Sequence, residues 1–446
     1  MISLPQTPQT FPNKRIPVFG TLTGWADLPV LGGRADRDVL PVEKGVSWNH
    51  YQDSFQPAKT RYTPRVEINK QAVIKAIREG STHGQELSAR AKRFTRQYIA
   101  KIVLPGERVE HCFDLAYGSK AHVCYSKEHE AAHVKGVMVC GSVWACPVCS
   151  RKVSKRRLDE LTTALAGSEY GQLLVTLTIQ HSKKDKLKRL LDDLAEGVRK
   201  LRQGRQWGDF SDGLKLVGSV TNLEETYSSE NGHHPHKHIL FLSELPQSEL
   251  NKPENRAKIN TWLAIYRAFL TSKGYHVNEH TTDVKTNHDD IAGYLVKWAF
   301  SQEVVLSDRK EGQAGHYSPF QLLDLIRQGK TEYIDVFREY FYAFKGRKQL
   351  SFSRGLRKLL GLGKEAEDRE LAEDEEKNTD TITLVSLEPR QYKVILGRAV
   401  RGELGRLLDV ASKNNVFKLW EYLHELGIEP TQKQLDYLSL QLSETG

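Results

Sequence analysis

An α+β fold is predicted by this sequence, with an antiparallel sheet that carries helices on one face. Strand-like apolar runs alternate with runs that repeat their apolar residues at helical spacing. The predicted elements are, in order, a strand at 173–179 (LLVTLTI), a helix at 184–202, strands at 214–227 and 234–242 (HPHKHILFL), a helix at 255–274, a strand at 276–284 and a helix from residue 287. This order, βαββαβα, builds an antiparallel sheet whose second face is left open for a substrate.

Composition and charge narrow the class of protein. The chain has 446 residues, of which 39% are hydrophobic and 27% are charged, so it can bury a core and keep a well-solvated surface. Its formal net charge of +9 favours a polyanionic partner, although many soluble proteins without one are also basic. No apolar signal segment opens the chain and no run has membrane-spanning length, so we expect a cytoplasmic protein without a membrane partner.

Length and changes in composition divide the chain into six segments. They are an extended N-terminal arm (1–60), a basic helical segment that holds the cysteines (61–160), the βαββαβα domain (161–305), a basic helical extension (306–363), an acidic linker (364–380) and a C-terminal helical segment (381–446).

All five cysteines lie between residues 112 and 149, and two of them form a CPVC knuckle. In a reducing compartment such clustering favours thiolate-bound structural Zn²⁺ over disulfides, and zinc takes four ligands. The predicted ligands are Cys112, Cys140, Cys146 and Cys149. Cys124 lies in the strand-like run AHVCYS, yet Cys124, His129 and His133 remain alternatives for the fourth position. Unligated buried cysteines are the alternative without a metal.

Two histidines on the third predicted strand form a candidate cation site. Side chains alternate between the faces of a strand, so His236 and His238 project from one face and Lys237 from the other. If the preceding strand pairs antiparallel, either Glu224 or Glu225 faces these imidazoles, and we choose Glu224 as the third ligand. The simpler alternative is a solvated, histidine-rich loop.

The predicted helix from residue 287 carries the candidate nucleophile. Asn287 is a suitable N-cap, and apolar residues follow at helical spacing. Asp290, Tyr294 and Lys297 share an adjacent face, because they are spaced four and three residues apart. Taken singly, each has an ordinary interpretation, as a capping carboxylate, a half-buried phenol and a solvated charge.

Together these motifs resemble the HUH endonuclease superfamily, and within it the replication initiator (Rep) proteins of rolling-circle plasmids. HPHKHILFL fits the first half of the Rep pattern HPHxHxLxxL, LLVTLTI matches a strand that ends in TLT, and Tyr294 with Lys297 matches Tyr-x-x-Lys on a helix. The three motifs occur in the family's order. Lys237 departs from the superfamily's hydrophobic residue at that position.

The resemblance implies an HUH nickase fold for 161–305 and a chemistry for its residues. Tyr294 would attack a phosphodiester of single-stranded origin DNA, leaving a 5′-phosphotyrosine link and a free 3′-hydroxyl. Lys297 would favour the phenolate, and Mg²⁺ or Mn²⁺ on His236, His238 and Glu224 would position the phosphate. Partners would be single- and double-stranded origin DNA and the host helicase and polymerase.

Position 298 is tryptophan, so the helix offers a single tyrosine. Ending a round of replication then needs a second acceptor. Asp290 stands where some plasmid Reps carry a carboxylate thought to activate water for the final cleavage, although a capping role explains it equally well. A second Tyr294 from another subunit is the alternative.

The resemblance extends to both flanks of this domain. Many Rep proteins carry a CGSxWxCPxC run before a basic helix, with a further cysteine near the position of Cys112, and a basic stretch similar to residues 346–357. The candidate DNA-binding residues there are Arg347, Lys348, Arg354, Arg357 and Lys358.

Two other functions remain open. One is a transposase or relaxase that uses the same chemistry, although relaxases usually carry the tyrosine before the histidines. The other is a non-catalytic, zinc-stabilised DNA-binding protein. The absence of a G-x-x-x-x-G-K-[ST] motif fits a cut that needs no ATP, since transesterification conserves the energy of the phosphodiester.

Overall fold

The computed structural model describes residues 67–80, 86–287, 291, 315–373 and 381–436, which form helices around two sheets. The strands are β1 (Ala121–Ser126), β2 (Ala131–Lys135), β3 (Gly171–Thr178), β4 (Leu216–Ser228), β5 (Gly232–Ser243), β6 (Thr282–Lys285), β7 (His316–Tyr317), β8 (Leu350–Phe352) and β9 (Thr381–Leu387). The helices are α1 (Lys70–Gly80), α2 (Ala89–Val103), α3 (Pro147–Ala166), α4 (Leu187–Leu201), α5 (Gly204–Gly213), α6 (Gln247–Leu250), α7 (Pro253–Ser272), α8 (Pro319–Arg327), α9 (Glu332–Phe344), α10 (Leu356–Leu359), α11 (Asp368–Glu373), α12 (Pro389–Gly397), α13 (Glu403–Ala411) and α14 (Val416–Glu425).

The larger sheet has the strand order β6–β3–β5–β4–β7, and β8 also pairs with β4. Its pairings are antiparallel throughout. Strands β3, β4 and β5 follow the predicted runs closely. Helix α4, between β3 and β4, and helix α7, after β5, lie where helices are predicted. The predicted α+β class, with antiparallel sheets and helices, is therefore confirmed.

Helices α4 and α7 cover one face of this sheet. That face carries apolar side chains at alternate strand positions, such as Val175, Ile239 and Phe241, which are at most 1% exposed. These side chains share a core with leucines of α4 and aromatic residues of α7. The helices approach closely because α4 has glycine at 197, where a Cβ atom would lie 2.5 Å from the ring of Tyr266. Tyr266 in turn donates a hydrogen bond to the Thr178 carbonyl at the end of β3.

The second face of the sheet is only partly open, whereas the sequence predicted an open face. Its apolar half carries Leu174, Val220, Leu240 and Leu242. These residues are covered by Leu161, Leu165, Ile291, Leu350 and Leu356, which come from α3, α10, β8 and the segment after β6. Burial of these leucine and valine side chains is favourable, so the covering residues extend over the apolar half of the face and not beyond it. Beyond them the same face becomes polar.

The smaller sheet joins two segments that are far apart in the sequence. Its order is β2–β1–β9, with β9 antiparallel to β1. Helix α13, from the C-terminal segment, packs on α2. Helices α12, α13 and α14 lie in this C-terminal segment. The C-terminal segment and the cysteine-bearing segment therefore share one core.

Two further differences concern predicted boundaries. The strand predicted at 276–284 is reduced to β6, because Asn278 caps a 3-10 turn at Glu279–Thr281 and accepts a hydrogen bond from the His280 amide. Local capping thus replaces strand pairing at this point. The predicted helix from Asn287 is described only at its start, where the Ile291 amide donates to the Asn287 carbonyl. The predicted arm at 1–60 lies outside the described residues.

Candidate active site and metal centre

The polar part of the open sheet face is built around β5. His234, His236 and His238 alternate with residues that point to the helix-covered face, so the three imidazoles share one side of the strand. In the register of the sheet, His236 lies between Thr178 of β3 and Glu224 of β4. His238 lies between Thr176 and Asn222, one step closer to the apolar half.

Glu224 is the strand residue whose carboxylate meets these imidazoles. Its Oε2 lies 3.3 Å from His238 Nε2, and its Oε1 accepts a hydrogen bond of 2.8 Å from Asn222 Nδ2. The Nδ1 of His238 lies 2.9 Å from the Thr176 hydroxyl. The carboxylate and the imidazole are thus held from both sides, which is the support that metal-ligating side chains commonly have.

Glu225 points to the opposite face. Its side chain is fully buried, and its Oε1 lies 2.6 Å from His233 Nδ1. Because neighbouring residues of a strand face opposite sides, the register assigns the two adjacent carboxylates to different environments. Glu225 with His233 is a structural pair beneath the sheet, and Glu224 is the one that lies with His236 and His238.

The imidazole rings form a row. The ring centroids of His234 and His236 are 4.0 Å apart, and those of His236 and His238 are 6.1 Å apart with nearly parallel planes. Burial, reinforced by neighbouring imidazoles, lowers the pKa of His236 to about 3 and that of His234 to about 2. Both rings are therefore neutral near pH 7, the form in which an imidazole nitrogen can bind a metal ion.

Lys237, the residue that departs from the superfamily pattern, faces the helix-covered side. Burial, with help from the nearby charges of Arg347 and Arg202, lowers its pKa to about 8. Its side chain is thus directed away from the imidazole row, and the departure leaves the row itself unchanged.

Tyr294, Lys297 and Asp290 lie outside the described residues. The nearest described residue is Ile291, which is fully buried and packs in the cluster that includes Leu174 and Leu240. That cluster covers the same sheet face as His236 and His238, because the strand positions alternate.

Four buried cysteines form the second candidate centre. One sulfur atom from each of Cys112, Cys140, Cys146 and Cys149 lies within 4.8 Å of the others, and no other group of three or more His, Cys, Asp or Glu in the described part of the chain is as compact. The Sγ of Cys112 lies 3.8 Å from that of Cys146 and 3.6 Å from that of Cys149. Four sulfurs arranged tetrahedrally at about 2.3 Å from zinc would be separated by about 3.8 Å. Cys124 lies apart, on β1 beside Thr383.

Nitrogen donors surround these sulfurs. The Cys146 sulfur accepts from the Cys149 amide at the start of α3 and from Gln97 Nε2, and the Cys112 sulfur accepts from the Cys140 amide. Burial raises the pKa of Cys112 and Cys140 well above the usual value. Burial also opposes ionisation of Cys146, but hydrogen bonds from its neighbouring thiols outweigh it and hold the pKa of Cys146 well below the usual value. The cluster therefore favours a thiolate, the form that binds metal.

The cysteine knuckle is linked to the basic stretch after α9. The indole of Trp144 donates a 2.8 Å hydrogen bond to the Arg347 carbonyl and packs on Phe344. From α3, Ser154 donates to the Gln349 side chain, and the Gln349 carbonyl accepts from the Leu223 amide beside Glu224. A continuous path of contacts thus connects the cysteine cluster to the strand that carries Glu224.

The five candidate DNA-binding residues divide into two groups. Arg347, Lys348 and Arg357 pair with the carboxylates of Asp192, Glu365 and Glu160, respectively. Arg354 is exposed on the loop before α10, and Lys358 is exposed on α10.

The first part of the predicted acidic linker packs on α3, because Asp368 of α11 lies 2.6 Å from the buried Arg157 of α3.

Sequence reasoning missed three polar neighbours of the cation site. Asn222, Thr176 and Thr178 lie opposite the histidines in the register, and the TLT run that marks β3 contains both threonines. A fourth imidazole, that of His181, lies beside His234. The TLT motif followed by His181 at a short distance was the available signal, but its relation to β5 depends on long-range pairing.

Comparisons with known proteins identify a matching family and related sequences. A family model described as replication protein matches residues 132–393. The chain is 28% identical to the protein named "Protein rep" of Streptomyces lividans, over 53% of this chain and 68% of that protein. It is 23% identical to "Protein rep" of Bacillus amyloliquefaciens, over 68% of this chain and 86% of that protein. A shorter match, 31% identical over 25% of this chain and 32% of the relative, is to a "Neomycin resistance protein" of Streptomyces cyanogenus. No solved structure matches the chain.

In the described ranges no helix combines the length and the apolar character needed to cross a bilayer.

Proposed function

Since this chain belongs to the replication protein family, we propose that it initiates rolling-circle replication of a plasmid by nicking one strand at the double-strand origin. The reaction is a transesterification by Tyr294 that leaves a 5′-phosphotyrosine link. The free 3′-hydroxyl then primes synthesis by a host polymerase, with a host helicase opening the duplex.

The observation that carries this proposal is the position of Ile291. It is buried against Leu174 and Leu240, on the sheet face that presents Glu224, His236 and His238. Tyr294 follows Ile291 by three residues, so covalent geometry alone keeps their Cα atoms within about 11 Å of each other. A helical continuation would bring that distance to about 5 Å. Either distance is compatible with contact of the Tyr294 phenol and the imidazole row with the same phosphate group.

The chemistry of the cut follows from these groups. The phenolic oxygen of Tyr294 forms a bond to phosphorus, the bond between phosphorus and the 3′-oxygen breaks, and the phenolic proton ends on the leaving 3′-hydroxyl. An unperturbed phenol has a pKa of about 10, so it is a weak nucleophile at pH 7. Lys297 follows Tyr294 by three residues, a spacing that would place it one turn away if the predicted helix continues. It would then stabilise the phenolate and the charge that develops on the phosphate.

His236, His238 and Glu224 fit a divalent cation in chemistry. Two imidazoles and one carboxylate suit Mn²⁺, and Mg²⁺ if waters complete its coordination. Glu224 Oε2 and His238 Nε2 are already 3.3 Å apart. His236, whose ring centroid lies 6.1 Å from that of His238, would supply the third ligand. When bound, the cation would polarise a non-bridging oxygen of the scissile phosphate.

The four cysteines fit a structural Zn²⁺. Their sulfur separations of 3.6–3.8 Å match those of a tetrahedral thiolate site, and the amide donors around them are typical of zinc knuckles. Zinc there would fix the start of α3 and, through Trp144, the basic stretch that follows α9.

The decisive experiment compares the wild type with Tyr294→Phe on a labelled single-stranded origin oligonucleotide in Mn²⁺. The wild type should yield a 3′-hydroxyl fragment and a covalent adduct stable to denaturant, whereas Tyr294→Phe should yield neither and bind the oligonucleotide almost as tightly. If Tyr294→Phe still cuts and forms the adduct, Tyr294 is not the nucleophile. If the wild type binds but never cuts any member of an oligonucleotide library, a zinc-stabilised DNA-binding protein becomes the better description.

Asp290 gives a second, separable step. We propose that its carboxylate activates water for the cleavage that ends a round. Asp290→Ala should then retain initial nicking but accumulate covalent adduct and linear multimers during plasmid replication. Loss of initial nicking in Asp290→Ala, or normal termination, would instead leave it as a capping residue, with a second Tyr294 as the acceptor.

A further inference from the structure

The acidic segment that includes α11, residues 364–373, folds back onto basic side chains. Asp368 Oδ1 lies 2.6 Å from Nη2 of Arg157 on α3, and Glu365 Oε1 lies 3.9 Å from the same nitrogen. Glu365 Oε2 also pairs with Lys348 Nζ at 2.8 Å. Two carboxylates of the segment thus cover two cations, which we call the Arg157–Lys348 site.

Backbone contacts hold the acidic segment in place as well. Helix α11 lies directly against the cysteine knuckle, since a Cβ atom at Gly141 would be 2.6 Å from the Arg369 Cα. Gly141 has a φ of +62°, a left-handed conformation that favours glycine. Just before the segment, the Gly363 carbonyl accepts a 3.0 Å hydrogen bond from Arg357 Nε. The segment is therefore docked between the knuckle and the basic stretch.

Arg157 keeps hydrogen-bonding capacity that these carboxylates do not use. It is 9% exposed, and its Nη1 makes no hydrogen bond to any residue that the structure describes. A guanidinium has five N–H donors and binds phosphate oxygens in a bidentate manner. Since a buried donor without a partner is unfavourable, a phosphate that reaches both terminal nitrogens would satisfy Arg157 better than the carboxylate does.

Burial weakens the contact that Asp368 makes. It raises the pKa of Asp368 above the ordinary value, with help from Glu365, although Arg157 and Lys348 oppose the shift. The two cations therefore compensate only partly for the hydration that the carboxylate loses. A group held in this way can be displaced by a stronger anion.

The Arg157–Lys348 site lies next to the proposed cation site. Arg157 lines a cavity between α3 and the sheet, and the wall of that cavity also includes Asn222. Asn222 donates a hydrogen bond to Glu224 on the open sheet face. A DNA strand bound at Glu224 therefore needs to extend only across this cavity to reach Arg157.

We propose that Arg157 and Lys348 bind a phosphate of the DNA backbone, and that residues 364–373 occupy this site until DNA displaces them. The acidic segment is then an internal competitor. It lowers the apparent affinity for DNA in proportion to the fraction of molecules whose site is free. This inference rests on the proposed binding of origin DNA and adds to it a phosphate site and the occupant of that site in the free protein.

The test measures binding of full-length, zinc-loaded protein to a labelled oligothymidylate by fluorescence anisotropy, without added Mn²⁺ or Mg²⁺, so that binding is followed apart from cutting. Backbone contacts do not depend on base sequence, so this probe suits them. Glu365→Gln/Asp368→Asn should bind at least about 5-fold more tightly than the wild type, a typical size for the coupling between two sites. Adding Arg157→Gln to this double variant should remove most of the gain.

Glu367→Gln/Glu370→Gln is the matched control, because it removes the same charge from the same segment at two exposed side chains. Glutamine at position 370 still offers an oxygen to the Glu367 amide. This control should bind DNA almost as the wild type does. Equal gains in the two double variants would indicate a general effect of charge and overturn the proposal, as would the absence of a gain in Glu365→Gln/Asp368→Asn.

Hydrogen exchange of the wild type gives a second measurement that needs no variant. Saturating oligothymidylate should speed amide exchange within residues 364–373, because displacement exposes the backbone hydrogen bonds of α11. Slower or unchanged exchange there would overturn the proposal. Either failure together with a normal Tyr294 adduct would refute the Arg157–Lys348 site alone. Faster exchange and the expected gain in affinity without any adduct would refute the nickase reaction alone.

Discussion

Asn222 donates a hydrogen bond of 2.8 Å to Glu224 Oε1, on the strand next to the two histidines of the cation site. The other carboxylate oxygen is thereby turned toward His238 Nε2, 3.3 Å away. Asn222 is 1% exposed, so its amide is fixed by its surroundings and can hold the carboxylate in one orientation. The amide is therefore a positioning group for Glu224, the proposed cation ligand.

Asn222→Ala should weaken Mn²⁺ binding about 10-fold, because supporting partners of metal ligands typically contribute 10- to 100-fold to affinity. The measurement is a Mn²⁺ titration of zinc-loaded protein. Thr221→Ala is the matched control, since Thr221 is the adjacent residue of β4 and points to the other face. Equal losses in the two variants would indicate a general weakening of the strand, not a loss of orientation.

Glu224 and Glu225 should give opposite phenotypes. Glu225→Ala leaves the buried Nδ1 of His233 without its hydrogen-bond partner, which costs about 1–3 kcal/mol in the free energy of unfolding. Glu224→Ala removes a partly exposed carboxylate, so it should cost little stability but most of the Mn²⁺ affinity. Urea denaturation and Mn²⁺ titration of both variants test this. A large loss of stability in Glu224→Ala with unchanged metal binding would reverse the assignment.

The contrast between these two carboxylates shows what local sequence can and cannot predict. Period-two alternation predicts that His236 and His238 share a face, and that Glu224 and Glu225 face opposite sides. The choice between the carboxylates depends on the register of β4 against β5, which a turn of Ser, Asn and Gly does not specify by itself. Helix starts are also specified locally: Ser318 is the N-cap of α8 and Pro319 occupies its first position.

Long-range pairings account for what was not predicted. Strand β8 joins the sheet beside Asn222, and β9 pairs with β1 across some 260 residues of chain. Neither strand carries a local sequence pattern that identifies the strand with which it pairs. The same limit applies to His181, because its approach to His234 depends on the pairing of β3 with β5. The order of elements was thus predictable, but the partners at the sheet edges and around the site were not.

Cys149→Ser should lower the bound zinc to well below one ion per chain and reduce the melting temperature, because zinc that binds only the folded state stabilises it. The measurement is metal content by mass spectrometry together with thermal unfolding. Cys124→Ser is the matched control, since Cys124 is also buried but lies on β1 beside Thr383. Loss of zinc in Cys124→Ser with full retention in Cys149→Ser would contradict the assignment of ligands.

Arg354 and Lys358 should act in DNA binding differently from Arg357. The first two are exposed, so Arg354→Ala and Lys358→Ala should each weaken binding to single-stranded DNA and reduce the salt slope of log K by about 0.7 for each lost phosphate contact. Arg357 donates to both oxygens of Glu160, so Arg357→Ala should mainly lower the stability of the α3–α10 contact. Binding constants over a range of salt, with melting temperatures, separate the two effects. An unchanged salt slope in both exposed variants would remove this surface from the DNA interface.

The imidazole row should make stability depend on pH in the protein without added Mn²⁺. Burial and neighbouring imidazoles lower the pKa of His234 to about 2 and of His236 to about 3, whereas both have a pKa of about 6.5 in the unfolded chain. Above pH 6.5 both states are neutral and the stability is complete. As the pH falls below 6.5, the unfolded state binds protons that the folded state does not, so the free energy of unfolding decreases toward the folded pKa values. As the pH is lowered from 7.5 to 5, the urea midpoint should therefore fall more steeply in the wild type than in the double variant His234→Gln/His236→Gln. The control His280→Gln changes an exposed imidazole and should behave like the wild type. Identical slopes in the wild type and the double variant would mean that the row is already protonated or solvated in the folded protein.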